Sequence, residues 1–276
     1  MTGRSEGLNP EAETTGTAPR NWAARHDLVL YFVLAYLLSW ALWPLVILNP
    51  TSSPLVPFGP LIAAVIVALL AGGRHELWAL LRQLGRWRVH PLWYVIALLG
   101  PFVLAGLTAA LAVAAGAPVR GTGDYTNWRA ITFFFFSTVI IVGLFEEVGW
   151  RGFALPRLQL RLDAIWAALV LGVLWALWHL PELISDPTGQ RPPVQFLLWA
   201  LALSVIFSWL YNSTNGSLPI VIICHAAIDT AGRYMLPEFS NGGYQLVWWF
   251  MVGLYAVIAV IVVLVAGPKR LITTIP

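Results

Sequence analysis

The stretch ITFFFFSTVIIVGLFEEVGWRG, residues 131–152, joins fifteen almost entirely apolar residues to two adjacent glutamates and an arginine. The apolar part is typical of a lipid-facing helix, whereas Glu146, Glu147 and Arg151 are ionisable residues at its end. A charged side chain at the centre of a bilayer costs roughly 2.5–3.5 kcal/mol even on the most lenient scale. Such residues normally face the interior of a helix bundle, so we expect these three to meet polar partners there.

The composition is that of a membrane protein. Of the 276 residues, 59% are hydrophobic and 11% are charged, whereas soluble domains carry about 25% charged residues. The formal net charge of +3 is small, so the distribution of the charge matters more than its sum. A single cysteine, Cys224, excludes a disulfide framework within the chain and any metal site built from several cysteines.

Eight apolar runs predict eight transmembrane helices, because a helix needs about 20 mostly apolar residues to cross a bilayer. The runs are 28–48, 55–72, 92–116, 131–155, 164–182, 195–211, 217–234 and 245–266. The prediction is an all-α membrane protein with a single transmembrane domain over residues 25–270. Residues 1–24 lack apolar periodicity and predict a disordered cytoplasmic tail.

The basic residues between the runs predict the orientation. Twelve of the 16 lysines and arginines lie in the tail, in alternate loops and at the C-terminus, and four lie in the other loops. Cytoplasmic loops of membrane proteins carry an excess of Lys and Arg. The pattern therefore predicts a multi-pass protein of the cell's inner or plasma membrane with both termini in the cytoplasm.

Few ionisable residues fall well inside the predicted spans. They are Glu146, Glu147, Arg151, His179, His225 and Asp229. At 1.5 Å of rise per residue, the histidines, the aspartate and the first glutamate lie roughly 14–25 Å from the predicted cytoplasmic boundary. Polar groups in lipid are tolerated where they line a shared cavity inside the protein. The sequence thus predicts an eight-helix bundle with a polar intramembrane cavity.

A structural interpretation of these residues competes with a functional one. Glu147 and Arg151 have the i,i+4 spacing of an ion pair that simply stabilises a helix, and a single buried histidine is more often a packing residue than a catalyst. Several such residues in one small bundle favour function. A buried carboxylate beside imidazoles can act as a general base on water, while an imidazole orients that water or donates to an oxyanion. This chemistry indicates amide hydrolysis within the membrane, and the HExxH motif of helix-borne zinc proteases is absent.

Three short motifs resemble those of the CPBP family, the CAAX prenyl proteases and bacteriocin-processing enzymes. EEVGWR at 146–151 fits its glutamate–glutamate–x–x–x–arginine motif. WALWH at 175–179 is similar to its second motif, and HAAID at 225–229 is similar to its third. The resemblance covers about residues 130–232. It implies an intramembrane glutamate protease of prokaryotic type.

The resemblance also implies roles for individual residues. Glu146 and His179 would activate a water, and His225 and Asp229 would support an oxyanion. Where this chain has Asp229, the eukaryotic prenyl-protein proteases have Asn. An ionised aspartate would repel an oxyanion, so this residue must be protonated, orient His225 or belong to a metal site.

The supporting residues implied by the resemblance are Glu147, Arg151 and Trp175. The first two would shape the site. Position 175 is Trp where phenylalanine is usual, and we expect this difference to alter only packing.

Cofactor and partners remain expectations at this level. The preferred mechanism needs no cofactor, and the alternative is a Zn²⁺ ion held by Glu146, His179 and His225. The expected partners are a peptide or membrane-anchored protein substrate and the lipid bilayer, with no nucleic acid. Two other functions stay open: a non-catalytic immunity or scaffold protein with this fold, and a small proton-coupled transporter that uses the same residues as a proton relay.

Overall fold

The computed structural model describes residues 21–41, 43–46, 55–121, 123–186, 190–239 and 243–275. The helices in these ranges are α1 Trp22–Arg25, α2 Asp27–Trp40, α3 Trp43–Val46, α4 Gly59–Leu81, α5 Pro91–Ala114, α6 Trp128–Gln159, α7 Ala164–Trp178, α8 Leu180–Ile184, α9 Pro193–Ser213, α10 Leu218–Tyr234 and α11 Gly243–Ala266. A 3₁₀ turn, Arg82–Gly85, follows α4, and the strands are β1 Val119–Gly121 and β2 Glu238–Phe239.

Each of the eight apolar runs coincides with a helix. Five of these helices are long and apolar enough to cross a membrane, namely α4, α5, α6, α9 and α11. The other three are shorter, since α2 has 14 residues, α7 has 15 and α10 has 17. The chain is therefore an all-α multi-pass membrane protein, and the count of eight spans stays a prediction.

The helix that carries the two glutamates is irregular. It is α-helical over Trp128–Thr138, π-helical over Val139–Gly143, α-helical over Leu144–Glu147, π-helical over Val148–Ala154 and α-helical over Leu155–Gln159. π turns are rare and frequently lie at functional sites. Here they enclose Glu146 and Glu147 on both sides, whereas the sequence predicted one regular helix.

Two glycines of α6 allow the neighbouring helices α4 and α10 to approach its backbone closely. A Cβ on Gly149 would lie 2.6 Å from the backbone oxygen of Pro60 in α4. A Cβ on Gly143 would lie 3.1 Å from the backbone oxygen of Ile222 in α10. Because both distances are shorter than ordinary van der Waals contact, a larger residue at either position would push α4 or α10 away from the glutamates.

One small ribbon departs from the all-helical prediction. Strand β1 pairs antiparallel with β2, with Val119 opposite Phe239. The pairing joins the backbone of the segment that follows α5 to the backbone of the segment that precedes α11. Phe239 is buried together with Ala112 and Val247, so the ribbon is packed against those two helices.

One end of the bundle, which we call the arginine-rich end, is where α4, α6, α9 and α11 finish and α5, α7 and α10 begin. Its basic residues are Arg82, Arg86, Arg88, Arg157, Arg161, Lys269 and Arg270. Arg157 of α6 bonds Asp27 at 2.9 Å and Glu76 at 2.8 Å, and its guanidinium lies 3.7 Å from the ring centroid of Phe153. This network ties α2, α4 and α6 together at one level.

The predicted tail and domain meet slightly earlier than expected. Residues 1–20 of the predicted tail lie outside the described residues. The last part of it is helical, because Trp22–Arg25 forms α1 and the side chain of Asn21 accepts a hydrogen bond from the Ala24 amide at 2.7 Å. From there one buried apolar cluster extends from Leu28 to Leu271.

Candidate active site

A carboxylate on α6 is shared by an arginine of the same helix and a histidine of α10. Oε1 of Glu147 accepts a hydrogen bond from Nη1 of Arg151 at 3.1 Å and lies 2.6 Å from Nδ1 of His225. Glu147 and Arg151 are fully buried, and His225 is 5% exposed. Because an ionised carboxylate only accepts hydrogen bonds, Nδ1 of His225 carries the proton. Its Nε2 therefore points away from this ion pair.

The neighbouring carboxylate is held by a tryptophan of α7. Oε2 of Glu146 accepts a hydrogen bond from the indole Nε1 of Trp175 at 2.9 Å. Glu146 is 3% exposed, and it interacts electrostatically with His225 and Asp229. The expectation that Trp at position 175 alters only packing is wrong, because a phenylalanine has no N–H to donate to this carboxylate.

His179 lies at the junction of two helices rather than inside a span. Helix α7 ends at Trp178 and α8 begins at Leu180, because Pro181 has no N–H to continue the helical hydrogen bonds. Nδ1 of His179 lies 2.8 Å from the backbone oxygen of Trp175, so the ring is fixed by the preceding turn. Trp175 thus contacts Glu146 through its side chain and His179 through its backbone.

The side chain of Asp229 is more exposed than those of Glu147 and His225. It lies one turn beyond His225 on α10, with its Oδ2 3.9 Å from Nε2 of that histidine. Its side chain is 35% exposed. The two ring nitrogens of His225 therefore face two carboxylates, one buried and one accessible.

Aromatic rings enclose the arginine. The guanidinium of Arg151 lies 5.0 Å from the ring centroid of Trp175 and 4.6 Å from that of Phe207 on α9. Cation–π contacts of this kind are stronger when they are desolvated. Within the described residues, Nε and Nη2 of Arg151 and Oε2 of Glu147 find no hydrogen-bond partner. The Glu147–Arg151 ion pair is thus stabilised by its own contact and by the neighbouring aromatic rings, because several of its polar atoms make no hydrogen bond within the described residues.

A metal site does not follow from this arrangement. Among the residues that the structure describes, no three His, Cys, Asp or Glu side chains come together closely enough to hold a metal ion. The set considered for zinc, Glu146, His179 and His225, is therefore not gathered closely enough around one point. We therefore derive no step through a metal.

The three motifs are thus brought to one place as a polar cluster. Sequence reasoning missed the aromatic walls of this cluster. Phe207 contacts both Arg151 and the ring of His225, and Phe196 packs against His179. No motif distinguishes these two from the other aromatic residues of an apolar helix, so only the packing of α9 identifies them.

Comparison with known proteins matches the same region. Residues 128–231 fit the family model described as type II CAAX prenyl endopeptidase Rce1-like. The protein described as CAAX prenyl protease 2 of Methanococcus maripaludis is 29% identical over 99 residues. The aligned segment is 33% of this chain and 36% of that protein, so the likeness spans about a third of the relative's length.

The hydrogen bond between Trp175 and Glu146 gives a first prediction. Trp175→Phe keeps a ring against Phe207 and removes only the N–H that Glu146 accepts. A hydrogen bond to a charged group is worth about 1.5–3 kcal/mol. We expect the free energy of unfolding in detergent to fall by about that amount, and the melting temperature to fall by several degrees.

The control is Trp199→Phe, on a neighbouring ring whose Nε1 has no hydrogen-bond partner within the described residues. This change removes no hydrogen bond among the described residues and should lower the melting temperature much less. Equal losses in the two variants would show that Trp175 acts through packing alone.

The shared carboxylate gives a second prediction. Arg151→Met keeps an apolar stem beside the rings but removes the guanidinium from Glu147, which then keeps only its contact with His225 among the described residues. Removing one partner of a buried ion pair costs about 3–5 kcal/mol, so the folded yield in detergent should fall sharply. The double variant Glu147→Gln/Arg151→Met removes the charge on both sides and should recover part of that yield.

Arg129→Met is the matched control, because Arg129 is an exposed cation over the ring of Trp128. Its yield should equal that of the wild type. A double variant no better than the sum of its two single changes would contradict the pairing.

Proposed function

We propose that this chain, whose residues 128–231 match the family model of type II CAAX prenyl endopeptidases, is a membrane-embedded endopeptidase of that family and uses Glu146 to activate water. The observation that carries the proposal is the state of this side chain. It is a carboxylate 3% exposed in an apolar helix, held by an indole N–H, with an imidazole within electrostatic reach. A positioned carboxylate of this kind suits general base catalysis.

The proposed reaction is a direct hydrolysis. Glu146 accepts a proton from a water molecule, and the water oxygen attacks the carbonyl carbon of the scissile peptide bond. The tetrahedral oxyanion then collapses, the C–N bond breaks, and Glu146 returns the proton to the leaving amine. His179 would help to orient the water, since its ring is fixed one turn after the tryptophan that holds Glu146.

His225 would stabilise the oxyanion through Nε2. The short contact of its Nδ1 with Glu147 fixes the ring orientation and favours the doubly protonated imidazolium, which donates from both nitrogens. Of the three roles open to Asp229, the separation of 3.9 Å from Nε2 favours orientation of His225. The oxyanion would then meet a cation held between two carboxylates rather than a bare aspartate.

The substrate and the orientation are parts of the same proposal. The family and the relative indicate a CAAX-type endopeptidase, and we propose a peptide or a membrane-anchored protein as the substrate. The excess of Lys and Arg at the arginine-rich end supports a cytoplasmic position for that end. Both termini would then lie on the cytoplasmic side of the cell's inner or plasma membrane.

Glu146→Gln tests the catalytic role. Glutamine keeps an oxygen that can accept from the Trp175 N–H, so the fold should be retained, but it cannot take a proton from water. Purified protein in detergent is incubated with a peptide library that includes lipid-modified and unmodified members, and the products are identified by mass spectrometry. We expect the rate on any cleaved peptide to fall about 10³-fold or more.

Glu238→Gln, a change of the same kind on the exposed ribbon residue, should cleave like the wild type. Turnover by Glu146→Gln within tenfold of the wild type would remove this residue as the base. A wild-type protein that cleaves no member of the library, yet conducts protons in liposomes, would favour the transporter, and one that does neither would favour the scaffold protein.

Chelation separates the metal-free mechanism from the zinc alternative. Because no three His, Cys, Asp or Glu side chains among the described residues come close enough to hold a metal ion, we expect purified protein to contain well under one equivalent of zinc. Cleavage should survive prolonged treatment with a strong chelator. A near-stoichiometric metal that is lost in His179→Ala, together with recovery of chelated enzyme by Zn²⁺, would overturn the metal-free mechanism and leave the protease assignment in place.

A further inference from the structure

A cavity of about 650 Å³ at the arginine-rich end lies far along α10 from the polar cluster and belongs to none of the motifs. Three segments form it: the linker between α4 and α5, the turn between α9 and α10, and the segment that follows α11. The last of these is tied to α9, because the Thr273 amide donates to Oγ of Ser213 at 2.9 Å and the Trp209 indole donates to Oγ1 of Thr273 at 3.0 Å. The walls are therefore fixed by side-chain hydrogen bonds.

The lining of this cavity is cationic. Arg86, Arg88 and His90 line it, and none of the twelve lining residues that the structure describes is acidic. Nδ1 of His90 accepts a hydrogen bond from the Leu92 amide, so the Nε2–H of the neutral ring is free of that contact. The N-terminus of α5, with its positive helix dipole, begins one residue later.

One of the arginines is positioned by the turn before α10. Nη1 of Arg86 donates to the backbone oxygen of Asn215 at 2.7 Å. A Cβ on Gly216 would lie 2.4 Å from the same nitrogen, and the φ of this glycine is +76°, so the turn leaves room only for glycine. The guanidinium is thus held against the turn, with its remaining N–H groups available to an anion.

The depth of the cavity corresponds to the headgroup region of a bilayer. Helix α5 has 24 residues, which is about 36 Å and close to the thickness of a membrane, and it starts at the cavity. Trp87 lines the cavity and is 57% exposed, and the guanidinium of Arg88 lies 5.1 Å from its ring centroid. Leu92 and Val95 are exposed on the adjoining face of α5. Apolar side chains exposed next to a cationic cavity suit acyl chains below a headgroup.

We propose that this cavity binds the phosphate of an anionic phospholipid headgroup, with Arg86 and Arg88 as the contacting cations. The same phosphate chemistry could be supplied by a soluble compound, but the exposed apolar residues beside the cavity favour the lipid. Basic pockets between transmembrane helices bind anionic headgroups in this way. Since α10 begins at Leu218, three residues after Asn215, the bound lipid would stabilise the start of the helix that carries His225 and Asp229.

Thermal unfolding in a non-ionic detergent tests this proposal, because a ligand that binds only the folded protein raises its melting temperature. The protein is titrated with phosphatidylglycerol, with phosphatidylcholine and with inorganic phosphate. We expect a saturable rise with phosphatidylglycerol and little change with the other two. Arg88→Gln and Arg86→Gln should each raise the half-saturating lipid concentration about fivefold, since each interfacial cation contributes about 1 kcal/mol.

Arg74→Gln is the matched control, because it removes the same charge from an exposed residue before the same linker and outside the cavity lining. It should bind the lipid like the wild type. Arg88→Gln tests the site independently of the contact between Arg86 and Asn215. Equal weakening in the control, an unchanged response of Arg88→Gln, or the same stabilisation by inorganic phosphate as by the lipid would each overturn the proposal.

Discussion

The buried carboxylate of Glu147 is the constraint on which the rest of the polar cluster depends. An unpaired charge in a bundle interior is costly, and this one is satisfied from its own helix by Arg151 and from α10 by His225. The contact with His225 requires α10 to lie close to α6, which Gly143 permits by lacking a side chain. Satisfying one carboxylate therefore fixes the distance between two helices and the orientation of the imidazole.

Trp175 connects the remaining parts of the cluster. Its indole N–H holds Glu146, its backbone oxygen holds His179, and its ring faces the guanidinium of Arg151. The ring of Phe207 lies 4.6 Å from the same guanidinium. Aromatic rings exclude water from the ion pair, and charges in such surroundings interact more strongly than in water. The polar cluster thus owes its rigidity to residues that carry no charge themselves.

The two ends of the bundle are organised differently. At the arginine-rich end, Arg157 joins α2, α4 and α6 through partly exposed ion pairs, and each such pair is individually weak. The polar cluster lies deeper, and its contacts are short and enclosed. Helix α10 links the two, because it begins three residues after Asn215 of the cavity lining and its later turns carry His225 and Asp229. The proposed lipid and the proposed catalytic residues would thus share one helix.

The sequence by itself determined the class of the protein and predicted the residues of the candidate site. Its apolar runs require membrane helices, and the six ionisable residues well inside them were expected to lie together, as the three motifs indicated. The i,i+4 spacing of Glu147 and Arg151 also fixed their pairing, because helical periodicity decides which side chains of one helix meet. Only the tertiary structure decided that His225 bonds Glu147, and that Trp175 rather than a histidine holds Glu146. It also decided the π turns of α6 and the position of His179 at the end of α7. Contacts between helices depend on how the helices cross and on local departures from regular geometry, which the spacing of residues along one chain does not specify.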